Sequence, residues 1–210
     1  MTLHILALAA LIRHCAPAVA SSTMAAIVEV ESGGDPFAIG DNTTRRSYYP
    51  RDRATAELLA RRLLDAGHLL DVGIAQIDSM NFAGFGVTVD SIFDPCINLS
   101  IGAKILSGDY AFAARRYRDA QVALRHAIGM YNTGRLNGGA RYIARVVAAA
   151  EIRDGHAQGS PAAAKPDAMH SPLLVRVAIT RHQVRGMHRK RVTPARSPIL
   201  VSNVSRVVVF

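Results

Sequence analysis

The stretch Met24-Ala-Ala-Ile-Val-Glu-Val-Glu-Ser-Gly-Gly-Asp-Pro36 decides how the rest of the chain is interpreted. Its side chains at positions 24, 27, 28 and 31 follow the spacing i, i+3, i+4 and i+7, so they lie along one side of a single helix. The first three are apolar, which predicts that this side faces the core. Glu31 therefore lies on the buried side in the last turn, because the Gly-Gly-Asp-Pro run that follows ends the helix.

This position of Glu31 has a chemical consequence. A carboxyl group partly removed from water is expected to have a raised pKa, and a general acid that works near neutral pH needs one. The alternative is a structural glutamate at a helix end, bonded to a backbone amide or an arginine. For this stretch taken alone, the structural alternative is the commoner case, so the remaining motifs have to decide between the two.

The charge of the chain is unevenly distributed. The 210 residues carry a net charge of +9, and half of them are apolar, which predicts a packed core. Residues 155–210 contain nine Lys or Arg and one acid, whereas residues 1–154 contain sixteen basic and fifteen acidic residues. Five prolines also punctuate the later segment. These features predict a domain over residues 1–154 and a basic, mostly disordered tail over residues 155–210.

A basic tail can contact anionic polymers. Nucleic-acid binding is not expected, because Phe210 is the one aromatic residue of the tail among Phe, Tyr and Trp, and base stacking needs several.

The two cysteines, Cys15 and Cys96, do not have the spacing of a metal site, and we expect neither a metal nor an organic cofactor. They form either one disulfide or two buried thiols. The apolar run Leu3–Ile12 before Ala18-Val-Ala20 is typical of a signal peptide, but it lacks a basic start, and we favour a first helix. Cleavage after residue 20 would remove one cysteine, so the signal peptide and the disulfide exclude each other. No run reaches the ~18 apolar residues of a membrane span.

Periodicity and helix-end signals predict a mainly helical domain. Asp94-Pro95 opens one helix, since Asp caps and Pro favours the first turn. No strand pattern is visible before Gly155. The other predicted helices span approximately residues 6–15, 24–31, 52–66, 75–82, 119–131 and 139–153.

Four fragments stand in order along this domain. They are Glu31-Ser32 with the following Gly-Asp-Pro and Ala-Ile-Gly, Gly73-Ile-Ala-Gln76, Phe93-Asp-Pro-Cys-Ile-Asn-Leu99, and Tyr131-Asn-Thr-Gly134. The ordered set resembles the lysozyme-like lytic transglycosylases of the SLT type, in particular those of type IV secretion and conjugation systems. The resemblance covers roughly residues 6–153 and implies an all-α, mainly helical, lysozyme-like fold.

The resemblance also implies an activity. These enzymes cleave the β-1,4 bond between N-acetylmuramic acid and N-acetylglucosamine in peptidoglycan without adding water, and they leave a 1,6-anhydromuramic end. Glu31 matches their single catalytic acid, which protonates the glycosidic oxygen and then accepts the proton of the muramic O6. The implied role is local opening of the cell wall for a secretion apparatus, in the periplasm. By analogy with the family, the tail could contact proteins of that apparatus.

The same resemblance assigns the other site residues. Ser32, Gln76, Tyr131 and Asn132 are expected to bind substrate or orient the cleft, and the tyrosine hydroxyl could reach Glu31 and tune it. Each has a structural alternative: a helix stop for the serine, a surface position for the glutamine, core packing for the tyrosine and a helix C-cap for the asparagine.

Gly73 marks a tight backbone position, and Asn98 is expected to fix the architecture between helices. Asp35 lies too close along the chain to be placed across a cleft from the acid, and Asp41 and Asp71 are not singled out as second acids. Two alternative functions stay open: a hydrolytic muramidase, and a non-catalytic peptidoglycan-binding assembly factor.

Overall fold

The computed structural model describes the backbone of residues 5–157 and the side chains of residues 7–152. The predicted disordered tail therefore lies almost entirely outside the described residues. In the described part, eight α-helices and a 3₁₀ turn at Ser79–Asn81 surround a small sheet. The helices are α1 Ile5–Cys15, α2 Ser21–Ser32, α3 Arg53–Asp65, α4 Phe82–Phe85, α5 Val89–Ile92, α6 Pro95–Ala114, α7 Ala120–Thr133 and α8 Ala140–Ala157.

Three of the longer helices begin where the sequence predicts, whereas α2 begins at Ser21, three residues before its predicted start. Asp52, Asp94 and Asp119 precede α3, α6 and α7, and each carboxylate accepts hydrogen bonds from backbone amides two or three residues further on. Pro95 occupies the first turn of α6, where its missing N–H costs nothing. Local side-chain chemistry therefore sets these boundaries.

The absence of strands was a wrong prediction. Four short antiparallel strands form one sheet in the order β2-β1-β3-β4, with β1 Ile39–Asp41, β2 Arg46–Tyr48, β3 Leu70–Val72 and β4 Ile77–Asp78. Each has two or three residues, fewer than the four to eight over which an alternating pattern can be recognised. The mainly helical lysozyme-like class is confirmed, with this sheet added.

The predicted helix over residues 75–82 was also wrong. Gly73 and Gln76 both have positive φ, 80° and 48°, and between them the chain reverses from β3 into β4. The 3₁₀ turn follows, and helix α4 begins only at Phe82. We call residues 73–76 the 73–76 turn.

Helix α1 belongs to the packed domain. Leu8 and Ile12 are buried, and Cys15 forms a disulfide with Cys96 at the start of α6, with 5.1 Å between the Cα atoms. The predicted first helix is therefore present in the structure. Over residues 5–157, none of the helices is both long and apolar enough to cross a membrane.

The core gathers around α2, α6 and α7. Met24, Ile27 and Val28 are fully buried, as the spacing predicted for one face of α2. Gly102 allows close packing of α6 against its neighbours, because a Cβ there would come within 2.9 Å of the Tyr131 hydroxyl and 3.1 Å of the Met24 methyl group. This glycine lets α6 and α7 approach α2.

Candidate active site

Glu31 is half-buried in the last turn of α2. Helix α2 ends at Gly33, whose φ of 62° is left-handed and whose N–H donates to the carbonyl of Glu29. The Tyr142 hydroxyl on α8 donates a hydrogen bond of 2.6 Å to Glu31 Oε1. This short bond to a carboxyl oxygen fixes the orientation of the acid at the junction of α2 and α8.

Tyr142 is the site residue that the sequence analysis missed. Periodicity predicts that its side chain faces inward on α8, and it is 7% exposed, but it lies 111 residues from Glu31. The tuning role was assigned instead to Tyr131. In the structure, the hydroxyl of Tyr131 donates to the backbone carbonyl of Ala75 at 2.7 Å. The available signal was the inward position of an aromatic residue with a polar tip, which needs a partner when buried.

Several of the motif side chains converge on the 73–76 turn. Ser32 Oγ donates to the carbonyl of Ile74 at 2.8 Å, which joins the end of α2 to the turn. The carbonyl of Ala75 accepts from Tyr131, and its N–H donates to Asn98 Oδ1 at 2.8 Å. Since Ile74 and Ala75 are buried, their peptide groups need such partners. These side chains therefore hold the 73–76 turn against the end of α2, where Glu31 lies.

The side chain of Asn98 fills the space beside Gly73. Asn98 is 0% exposed, and its Nδ2 donates to the carbonyls of Val72 and Ile92, each at 3.0 Å. A Cβ on Gly73 would lie 2.3 Å from that same nitrogen. Only glycine fits, both for this distance and for the φ of 80°. Asn98 thus links β3, the turn and α5, in line with an architectural role.

The side-chain amide of Gln76 holds this residue in place by binding backbone carbonyls. Its Nε2 donates to the carbonyl of Ala38 at 3.0 Å and to that of Gly73 at 2.8 Å, so both amide protons bind backbone. Asn132 is exposed near the end of α7. The structure therefore brings Ser32, Gln76 and Tyr131 together around the turn, and their contacts with substrate stay predictions.

The remaining acids of the sequence analysis bind loop backbone or neighbouring side chains. Asp35 is buried and accepts from the N–H of Phe37 at 2.9 Å. Asp71 accepts from the amide of Asn42 at 3.0 Å.

Asp41 is also buried. Burial by itself raises the pKa of Asp41, but hydrogen bonds from the Thr44 hydroxyl, from His68 and from the amides of Thr44 and Thr43 outweigh it and lower the pKa to about 2. The His68 Nδ1 and the Asp41 Oδ2 are 2.8 Å apart. These acids stabilise the connections around the sheet.

No group of three or more His, Cys, Asp or Glu that could hold a metal ion occurs in the part of the chain that the structure describes. The arrangement that can do chemistry is an oriented carboxyl group at a helix end, beside a turn that Ser32, Asn98 and Tyr131 hold by hydrogen bonds.

Comparison with known proteins identifies the family. A family model described as the transglycosylase SLT domain matches residues 10–149. Protein virB1 of Agrobacterium fabrum is 43% identical over 141 residues, which cover 66% of this chain and 57% of that protein. The type IV secretion system protein virB1 of Brucella abortus biovar 1 is 39% identical over 150 residues, which cover 68% of this chain and 63% of that protein. Protein virB1 of Rhizobium radiobacter is 48% identical over 122 residues, which cover 58% of this chain and 51% of that protein.

The chain thus spans between 51% and 63% of the length of these relatives. No solved structure matches it. Because the family model covers well over half of its residues and takes in Glu31, the turn and Tyr142 alike, the chain belongs to the transglycosylase SLT domain family.

Proposed function

We propose that this protein is a peptidoglycan lytic transglycosylase that cleaves the β-1,4 bond between N-acetylmuramic acid and N-acetylglucosamine and leaves a 1,6-anhydromuramic end. The observation that carries the proposal is the geometry of Glu31. It is a half-buried acid at the end of α2, and the Tyr142 hydroxyl holds one of its carboxyl oxygens. Membership of the SLT family supports the same substrate and the same bond.

In the proposed mechanism, Glu31 acts first as an acid and then as a base. Its carboxyl proton passes to the glycosidic oxygen as the bond from that oxygen to the muramic C1 breaks. The acetamido carbonyl of the muramic residue stabilises the positive charge at C1. The Glu31 carboxylate then takes the proton of the muramic O6 as this oxygen attacks C1. The acid ends in its starting form, and no water is consumed.

The other carboxylates support a mechanism with one acid. Most glycosidases use two carboxylates that flank the bond, and substrate-assisted enzymes are among the exceptions. Here Asp35 and Asp41 are buried and accept hydrogen bonds from loop backbone. Their structural bonds explain their presence without a role in the reaction.

The printed name of one relative bears on the biological setting. The Brucella protein is named as a type IV secretion system protein. We propose by extension that this chain opens the cell wall locally for a secretion or conjugation apparatus, and that it acts in the periplasm, where the wall lies. Its direct partner would be the glycan strand, with apparatus proteins contacted through the tail.

The test is to incubate purified protein with peptidoglycan and weigh the released muropeptides. We expect 1,6-anhydro products from the wild type and at least about a hundredfold slower release from Glu31→Gln, because general acid catalysis contributes about 10²–10⁴-fold. Glu29→Gln is the matched control, since Glu29 is an exposed glutamate two residues earlier on the same helix.

Each outcome separates the candidate functions. Products that carry an added water would identify a muramidase. No release by either protein, together with sedimentation on the wall, would favour a binding factor. Equal rates for the wild type and Glu31→Gln would refute the role of Glu31.

A further inference from the structure

The surface of α8 beside Glu31 carries positive charge. Arg141 and Arg145 lie in the first turns of α8 and Arg135 lies in the loop before it; all three are exposed, and residues 135–145 contain no acid. Arg145 reaches the end of α2, because its Nη2 donates to the carbonyl of Val30 at 3.0 Å, one residue before Glu31. Arg145 also follows Tyr142 by three positions and is therefore its neighbour on the helix surface.

Part of the role of Arg145 is structural. The carbonyl of Val30 is one of the last of α2, and an arginine at that end satisfies it and complements the helix dipole. A guanidinium has five N–H donors in a planar fork, so a single carbonyl leaves most of them for other acceptors. The side chain is exposed as well. The bond to Val30 therefore leaves donors of this exposed guanidinium available for a further acceptor.

Within the described part of the chain, the side chain of Arg141 makes no hydrogen bond of this kind. It lies four residues before Arg145, so the two side chains stand one above the other on the same strip of α8. We call this pair the arginine rim. A guanidinium binds carboxylates in a bidentate manner and stays charged at any physiological pH. The rim is thus suited to an anionic group of a molecule held at Glu31.

We propose that the arginine rim binds carboxylates of the peptidoglycan stem peptide and gives the enzyme a preference for strands whose stem peptides are charged. This inference rests on the proposed substrate. In that substrate the stem peptide is attached through O3 of the same muramic residue whose C1 is attacked at Glu31. The peptide therefore leaves the glycan next to the acid, and its carboxylates fall within reach of the α8 surface.

The decisive experiment measures binding and does not depend on cleavage. The Glu31→Gln protein is sedimented with native sacculi and with sacculi whose stem-peptide carboxylates have been converted to amides. Addition of Arg141→Gln should weaken binding to native sacculi about three- to fivefold, the size expected for an exposed ion pair. It should leave binding to amidated sacculi unchanged, and higher salt should reduce the difference.

The controls separate charge recognition from structural damage. Arg116→Gln changes an exposed arginine after the end of α6 and should bind both substrates like the parent protein. Arg145→Gln should show the same preference as Arg141→Gln, but it also removes the bond to Val30, so Arg141 is the cleaner probe. Unchanged binding of the Arg141 variant to native sacculi would overturn the proposal, and so would an equal loss on both substrates.

The outcome is also distinct from failure of the proposed function. If the wild type released no muropeptides but bound native sacculi through Arg141, the catalytic proposal would fail and the rim would stand. If it released anhydro products while the Arg141 variant bound native sacculi normally, the reverse would hold.

Discussion

The contact between Gly73 and Asn98 leads to a quantitative prediction for Gly73→Ala. The new Cβ would lie 2.3 Å from Asn98 Nδ2 and 2.8 Å from Asn98 Cγ, so the asparagine has to move. Asn98 is fully buried and makes three hydrogen bonds, to the backbone of Val72, Ala75 and Ile92. The substitution therefore disturbs the turn, the sheet and α5 together.

The magnitude follows from two contributions. A non-glycine residue at a φ of 80° costs about 1–2 kcal/mol. Displacement of Asn98 adds at least the cost of one buried polar group left without its partner, about 1–3 kcal/mol. We expect a loss of about 2–5 kcal/mol in the free energy of unfolding, which is about 4–20 °C in Tm for a domain of this size.

The assay is urea unfolding followed by far-UV circular dichroism, with Gly67→Ala as the matched control. Gly67 has a φ of 82°, but a Cβ there would meet nothing within 4 Å. The control therefore carries the backbone strain alone and should lose about 1–2 kcal/mol. The difference between the two variants measures the cost of moving Asn98.

Two results would contradict this reasoning. If Gly73→Ala were no more destabilising than Gly67→Ala, the space beside Gly73 would not be filled as the structure has it. If the double variant Gly73→Ala/Asn98→Ala lost the full sum of the two single losses, the side chains would not be coupled.

Three further predictions concern the acid, the sheet and the disulfide. Tyr142→Phe should lower kcat about tenfold or more with KM little changed, because it removes a 2.6 Å hydrogen bond to the Glu31 carboxyl group worth about 1.5–3 kcal/mol. An unchanged kcat would contradict the role of Tyr142 in positioning Glu31. The pKa of Asp41 falls from 3.8 to about 2 on folding, so its carboxylate stabilises the fold above pH 4, and this contribution, of the order of 1–2 kcal/mol, is lost as the pH falls toward 2. In urea titrations at several pH values, Asp41→Asn should lack this acid-dependent loss of stability. A pH dependence equal to that of the wild type would rule the account out. Replacing Cys15 and Cys96 by serine should lower the free energy of unfolding by about 4 kcal/mol, since the disulfide closes a loop with a sequence separation of 81. The Tm of the variant should equal that of the reduced wild type and lie below that of the oxidised wild type. Equal Tm values for the variant and the oxidised wild type would show that the bond adds no stability.

The helix boundaries were accessible from the sequence because their causes are local. The aspartates at positions 52, 94 and 119 cap helices by bonding amides two or three residues away, and Gly33 ends α2 through its own backbone conformation. The buried face of α2 followed from the spacing of Met24, Ile27 and Val28. Such signals act within one or two helical turns, so they can be recognised from the sequence alone.

The sheet and the roles around the 73–76 turn could not be predicted in this way. Strands of two or three residues show no alternation, and β1 pairs with β3 some thirty residues further on. The polar groups of Gln76 and Tyr131 bind the backbone of residues brought near by folding, which the sequence did not indicate, and their contacts with substrate stay predictions. A side chain's type indicates what it can bind, but only its neighbours decide what it does bind.

The sequence by itself determined the helical class, the order of the family motifs and the position of Glu31 at the end of a helix with one buried apolar face. Only the tertiary structure decided which side chain holds that acid. Tyr142 lies 111 residues away along the chain, and its hydroxyl reaches Glu31 because α8 packs against α2. That contact arises from the burial of two apolar helix faces against each other, and no local spacing encodes which polar tips such packing will bring together.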